Sequence, residues 1–233
     1  MTTAGSDEGE EVLVLYGSQT GNSEGAAQEI SAAIPTRLSA PGRPVTSRVM
    51  HLDDFLEAEG AGWTRLVVIV CSSYGVGHAP IGAQKFRDLC DEILDGGAAG
   101  AHAGMLEGVT YAMCGLGDSN YTTFFENPRT IDEAMRAAGA RRVGELGKAD
   151  ASGTGDDEQY KVIERWVAGV WKELAGVVEA DRPDREVLDA ARDRTWKLCL
   201  ELFPDWRPSR FASGAVLPLL GIALAIGAYL FKR

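Results

Sequence analysis

Apolar positions along the chain fall into short uninterrupted runs, separated by longer stretches whose apolar residues recur every three or four positions. Val12 to Tyr16, Leu66 to Cys71 and Val109 to Cys114 read as strands buried on both faces; Val45 to Met50 and Arg142 to Leu146 repeat the pattern more weakly. Between them, Ser23 to Ala33, Ile81 to Leu94, Thr130 to Ala138 and Asp157 to Leu174 carry helical spacing. That alternation predicts an α/β fold, a doubly wound five-stranded parallel sheet with helices on both faces. Gly139 stands where a left-handed helix cap belongs, and Asp156 or Asp157 is placed to cap the helix that follows. The Gly- and Ala-rich segment from Asp95 to Glu107 reads as an exposed connection.

After Leu174 the pattern changes. Val187, Ala191, Leu198 and Leu202 recur at helical spacing among Asp and Arg, and Pro204 and Pro208 then interrupt the chain. Residues 176–210 therefore predict an amphipathic spacer helix and a stiff linker, with a face that suits either the domain or a membrane surface. From Phe211 to Phe231 no charge occurs, with Arg207 and Arg210 before the run and Lys232 and Arg233 after it. As a helix this segment reaches about 30 Å, the thickness of a bilayer's hydrocarbon core. It predicts a single transmembrane tail anchor over 211–231, with Tyr229 at an interface. Residues 1–10 are acidic and without an apolar core, so they predict a disordered start and neither a secretory signal nor a transit peptide. The expected organisation is thus a cytosolic domain over 11–175 held at an intracellular membrane.

Charge sharpens the picture. Lys and Arg number 23 against 34 Asp and Glu, a formal net charge of −11, which repels phosphodiester backbones and excludes nucleic acid as a partner. A basic-faced protein is the natural complement. Cys71, Cys90, Cys114 and Cys199 show no C-x-x-C spacing, and His51, His78 and His102 lie far apart, so no metal or disulfide framework is expected.

Three loops follow three of the strands. Gly17-Ser18-Gln19-Thr20-Gly21-Asn22-Ser23 sits between a strand and a helix, where hydroxyls, amides and backbone N–H groups suit a phosphate dianion without Lys or Arg. The second loop, Cys71 to Pro80, and the third, Cys114 to Tyr121, each place a tyrosine among glycines just past a strand. Two such rings at neighbouring strand ends suit the clamping of a planar heterocycle. Together the three loops specify a flat ring carrying one phosphate.

These same stretches, YGSQTGNSEGAAQEI, SSYGVGHAP and GLGDSNYTTF, resemble the three FMN loops of the flavodoxin-like FMN domains of diflavin reductases, over about Glu11 to Leu174. GDSNYTTFFENPRTIDEAMRAAGARRV, GKAD and VIERWVAGVWKEL are most similar to the FMN domain of methionine synthase reductase. The resemblance implies FMN as cofactor, its phosphate held by Ser18, Gln19, Thr20, Gly21, Asn22 and Ser23, with Tyr74 and Tyr121 on opposite faces of the isoalloxazine. It further implies FMN contacts from Ser73, Gly77, Gly115, Leu116, Gly117 and Phe124. Gly75 corresponds to the redox-sensitive backbone position whose carbonyl turns toward flavin N5, and Asp118 and Asp150 to acidic positions near the ring that make the fully reduced flavin a stronger donor. His78 stands where an acidic residue is usual, and Phe125 to Arg129 replace a small-residue stretch, departures that bear on the partner. The resemblance implies an electron carrier, with Gly75 and Asp150 setting its redox behaviour. It draws electrons from a separate NADPH/FAD-dependent reductase, since a FAD- and NADPH-binding module is missing from these residues, and hands them to a redox acceptor that is a haem, cobalamin or iron–sulfur protein. A non-redox module of the same fold that recruits a partner to a membrane is the alternative; a self-sufficient NADPH-dependent quinone reductase ranks last, lacking a second nucleotide fingerprint. The basic flanks of the anchor favour the mitochondrial outer membrane, with the endoplasmic reticulum as the other expectation.

Overall fold

The longest apolar runs become the middle of the sheet. In the computed structural model, which describes residues 9–58, 62–96 and 100–205, strands β1 (Glu10–Gly17), β3 (Leu66–Ser72) and β4 (Thr110–Gly117) lie side by side. β2 (Val45–His51) flanks β1 at one edge, and β5 (Arg141–Arg142) and β6 (Gly147–Asp150) share the far side of β4. All pairings are parallel, so the order is β2-β1-β3-β4 with β5 and β6 as two parts of a fifth strand position. The expected strand over Arg142 to Leu146 is corrected in this respect. Val143 N–H still bonds Tyr111 carbonyl at 2.8 Å, but Gly144 then takes φ +68° and Trp166 Nε1 claims the Glu145 carbonyl, so the ladder resumes only at Gly147 opposite Cys114.

Successive strand residues point to opposite faces, and the two faces are covered by different helices. Val12, Val14, Leu66, Val68, Val70 and Ala112 pack beneath α1 (Asn22–Leu38) and α5 (Gln159–Glu179). Leu13, Leu15, Val67, Ile69, Tyr111 and Met113 pack beneath α2 (Leu52–Ala58), α3 (Gln84–Asp95), α4 (Glu126–Ala137) and α6 (Arg185–Leu202). The amphipathic spacer is therefore settled against the domain. α6 buries Ala191, Thr195, Leu198 and Cys199, and Trp63 Nε1 donates to Thr195 Oγ1 at 2.9 Å. Residues 211–231 and most of the linker lie outside the described residues; among those described, no helix is long and apolar enough to cross a membrane.

Several element ends differ from expectation for reasons of tertiary contact. α1 runs past Pro35 to Leu38 although proline removes a helix hydrogen bond; the Ser31 carbonyl left without that donor accepts Ser47 Oγ from β2 at 2.7 Å. α3 begins at Gln84 rather than Ile81, its first turn capped from α2 by the Asp53 carboxylate, which accepts Gln84 and Phe86 N–H at 3.0 Å each. α4 starts at Glu126, with Pro128 in its first turn where a missing N–H costs nothing, and Gly139 at φ +94° takes the expected left-handed cap. Asp156 and Asp157 do not cap α5; they form a 3-10 turn and Glu158 takes the cap position. Nor is the connection before β4 wholly exposed, since Met105 and Leu106 enter the core.

At the N-terminal ends of the strands, Arg65 and Glu10 form a buried two-point ion pair, Nε to Oε1 at 2.8 Å and Nη2 to Oε2 at 2.6 Å, with side chains 8% and 7% exposed. Arg65 also donates to the carbonyls of Val178, Ala180 and Asp181 at the end of α5. Removing one partner strands a buried charge. Arg65→Met is expected to lower stability by about 3–5 kcal/mol in chemical denaturation, and adding Glu10→Leu to recover most of the loss; an unchanged unfolding midpoint for the single variant refutes this role for the pair.

Candidate functional site

β1 is flanked by β2 on one side and β3 on the other, so the chain reverses its direction of winding between them. At such a point the connections after neighbouring strands leave on opposite faces and a crevice opens at the carboxyl ends. Here it is a cavity of about 420 Å³. Its wall is made by Gln19, Thr20, Asn22 and Ser23 after β1, by Ser72 at the end of β3 and Ser73 to Gly75 beyond it, and by Leu116 and Gly117 at the end of β4 with Asp118, Tyr121, Thr123 and Phe124 beyond it. Ala151 and Gln159 complete it.

The first loop ends in Gly21, at φ +93°, which occupies the N-cap of α1 and has no side chain with which to cap it. The first N–H groups of α1 therefore keep their capacity for an outside acceptor, and the positive end of the helix dipole lies on the same spot. Ser18 Oγ accepts the Gly21 N–H at 3.1 Å, while Ser18 N–H and the Gln19 side chain tie the loop to Ile81. Ser23 supplies the test of what fits there. Its hydroxyl is buried and has no hydrogen-bond partner among the described residues, although Ser23 belongs to the cavity wall. An orphaned buried hydroxyl beside an uncapped helix start fits a phosphate oxygen.

The second loop folds back on itself, Tyr74 and His78 exchanging both backbone hydrogen bonds at 2.9 Å. Between them Gly75 takes φ +55° and Gly77 φ +87°, a region that glycine enters without steric cost. Asn127, fully buried at the start of α4, holds this loop from behind. It donates Nδ2 to the Ser72 carbonyl at 2.9 Å and its N–H to Ser73 Oγ at 3.0 Å. From the third loop, Thr123 Oγ1 donates to the Gly75 carbonyl at 3.4 Å. Tyr74 and Tyr121 stand at the rim 51% and 56% exposed, large apolar rings held at the surface. Rings so placed fit the two faces of a planar ligand.

The third loop is shaped by close packing. A Cβ at Gly115 would lie 2.5 Å from the Phe125 ring and from Pro128, and one at Gly117 2.8 Å from Phe124. Phe125 itself takes φ +66°, an uncommon conformation for a bulky side chain, and Lys148 Nζ sits 4.8 Å from the Phe124 ring centroid and 5.4 Å from that of Phe125. Two carboxylates meet at the edge of this loop. Asp118 Oδ1 accepts Asn120 N–H at 2.9 Å and lies 3.0 Å from Ser152 Oγ; Asp150 Oδ1 accepts the N–H groups of Ser119 and Ser152 and lies 2.9 Å from the same hydroxyl. Burial opposes ionisation of Asp150, but the hydrogen bonds from Ser119 and Ser152 outweigh it and bring the carboxyl down to about 2.

The expected site residues thus divide. Gln19, Thr20, Asn22, Ser23, Ser73, Tyr74, Gly75, Leu116, Gly117, Asp118, Tyr121 and Phe124 line the cavity. Ser18, Gly21, Gly77, Gly115 and Asp150 are not part of the lining: Ser18 and Asp150 accept loop N–H groups, Gly21 is the exposed N-cap of α1, Gly115 makes room for Phe125, and a Cβ at Gly77 would meet Glu126. Thr123, Asn127 and Gln159 carry no signal in the sequence, because isolated polar residues in a turn or at a helix start look like ordinary solvated positions. All four cysteines are reduced and buried, and burial pushes Cys71 and Cys114 up to about 12, so both are inert thiols.

The flavodoxin family model matches residues 14–166. The mitochondrial pyruvate dehydrogenase (NADP+) of Euglena gracilis is 30% identical over 225 residues, covering 95% of this chain and 11% of its own length. The bifunctional cytochrome P450/NADPH–P450 reductase of Bacillus cereus is 36% identical over 166 residues, 70% of this chain and 13% of that protein. This chain therefore spans only a small part of these relatives. Among solved structures, a mutant flavodoxin from Pseudomonas aeruginosa superposes with a TM-score of 0.50 at 25% identity, covering 73% of this chain and 99% of its own. The chain belongs to the flavodoxin family, is related to the FMN domains of diflavin reductases, and has FMN as its cofactor.

Proposed function

We propose that this chain is a membrane-tethered electron carrier, reduced by a separate NADPH/FAD-dependent reductase and oxidised by a basic-faced redox protein. The observation that carries it is the half-exposed pair Tyr74 and Tyr121 at the mouth of the cavity. Walls of that kind leave a ligand's edge at the protein surface, where electrons pass between docked proteins and no small substrate need enter. Bound FMN supplies one- and two-electron redox chemistry. The protein's part is positional. The uncapped start of α1 and Ser23 bind the phosphate, Tyr74 and Tyr121 shield the ring faces, and Gly75 places a backbone carbonyl in the wall. Asp118 adds negative charge there, which opposes charge build-up on a reduced ring. Asp150 acts through the loop it holds rather than by contact.

The reductase named in the Bacillus cereus relative supports NADPH as the ultimate source of electrons. The likeness of Gly117 to Val143 to methionine synthase reductase keeps a cobalamin enzyme beside haem and iron–sulfur proteins as acceptors. The uncharged run 211–231 supports a tether with the flavin domain on the cytosolic face, at the mitochondrial outer membrane or the endoplasmic reticulum.

The full chain in detergent, loaded with FMN, is expected to keep its flavin absorbance when NADPH alone is added and to bleach when a catalytic amount of an NADPH-dependent flavoprotein reductase is added too. Bleaching by NADPH alone makes it a self-sufficient reductase; no bleaching in either case leaves the non-redox recruiting module.

Acid should loosen the third loop. The Asp150 carboxyl lies below its usual 3.8 in the folded state, so the stability it confers is complete above pH 4 and disappears as pH falls toward about 2. Asp150→Asn is expected to unfold at lower urea concentration than the parent at pH 7, with the gap closing between pH 4 and pH 2; a gap of constant size points to packing instead of charge.

A fluorescent protein fused to residues 203–233 is expected to resist carbonate extraction, whereas a soluble fusion removes the tether from the proposal. Replacing Lys232 and Arg233 by Ser should move a mitochondrial fusion to the endoplasmic reticulum; if the parent already resides there, the mitochondrial assignment is wrong.

A further inference from the structure

Gln159 opens α5 and lies far from the first loop in sequence, yet both meet in the cavity wall. Its amide is fully committed. Nε2 lies 3.3 Å from the Gly117 carbonyl at the end of β4 and 3.3 Å from the Ala149 carbonyl in β6, so both of its hydrogens are directed at fixed backbone acceptors. What remains is Oε1, which can only accept, and it does so from Asn22 Nδ2 at 2.9 Å. A reversed Gln159 amide would set oxygen against two carbonyls, and a reversed Asn22 amide would set oxygen against oxygen. The strand carbonyls therefore dictate the orientation of Gln159, and Gln159 dictates that of Asn22.

The consequence falls on the first loop. Asn22 is the first residue of α1, next to the orphaned Ser23 hydroxyl, and both belong to the wall. One hydrogen of its amide is spent on Gln159, and the other remains a donor. We propose that Gln159 is a positioning residue for phosphate recognition: by relaying the polarity of the β4 and β6 carbonyls it makes Asn22 a donor toward the anion, and so sets the preference for a phosphorylated flavin over the same ring without phosphate. This rests on the FMN reading of the cavity and deepens it. Lacking a relay, Asn22 can rotate its oxygen toward the phosphate and repel it. A residue that merely props the fold has no reason to treat the two ligands differently.

The test uses the full chain in detergent, stripped of flavin, with FMN and riboflavin titrated separately by fluorescence quenching. Gln159→Met, which keeps the length and loses the amide, is expected to weaken FMN about tenfold, the effect of one lost charge-assisted hydrogen bond, while riboflavin affinity stays that of the parent. Gln159→Glu, which cannot donate to the two carbonyls and adds negative charge, is expected to weaken FMN further than Met does. Asn22→Ala should lower the FMN-to-riboflavin ratio by the same factor as Gln159→Met, and the double variant should lose no more than either alone. Equal loss of both ligands, no loss of either, or additive losses in the double variant overturn the inference. Should Gln159→Met fail to fold, as judged by circular dichroism, an unchanged ratio in Asn22→Ala overturns it by itself. A parent chain that binds neither flavin overturns the FMN reading, a result distinct from all of these.

Discussion

Parallel pairing of β1 with β2 on one side and β3 on the other is the constraint from which the remaining architecture follows. A parallel sheet needs a crossover for every strand, and crossovers on both faces leave neither face free for a ligand. The strand ends are what remain, and the crossovers from β1 separate there. The wall residues of the cavity accordingly lie at the last positions of β3 and β4, on the loops that follow the strands, or at a helix start, while the strands' inner side chains are packed out of sight.

Loops so placed have no ladder to hold them, and side chains take over that task. Asn127 pins the second loop, Thr123 joins it to the third, Asp150 gathers the third, and Gln159 ties the first to the ends of β4 and β6. The clasping residues come from elements other than the loops they hold. The stretch Phe125 to Arg129 shows why: Phe125 fills the space over Gly115, and its strained backbone delivers Asn127 to the rear of the second loop.

What the sequence made legible follows from the same division. β1, β3 and β4 carry unbroken apolar runs through their middles because both faces are covered, and such runs can be recognised without knowing their neighbours. The cavity's outline was legible too, since the tyrosines and glycines of three loops have few other uses. The fifth strand was legible in its place but not in its extent, because its ladder is broken by Gly144 and by a tryptophan on a distant helix. α1 outlasts Pro35 through a serine on β2, and α3 starts late through a carboxylate on α2. Gln159 and Asn127 escaped notice for a related reason: their importance lies in which carbonyls they reach, and no local pattern encodes that.

The Arg65–Glu10 pair sits at the opposite ends of the strands from the cavity. A strand of eight residues is about 25 Å long, and substitutions that far apart act independently. Robustness and chemistry therefore occupy separate poles of one molecule. Descendants of this fold adapting to heat or salt can rebuild the lower pole freely, and change in the ligand-binding loops can proceed at the upper one, without either history constraining the other.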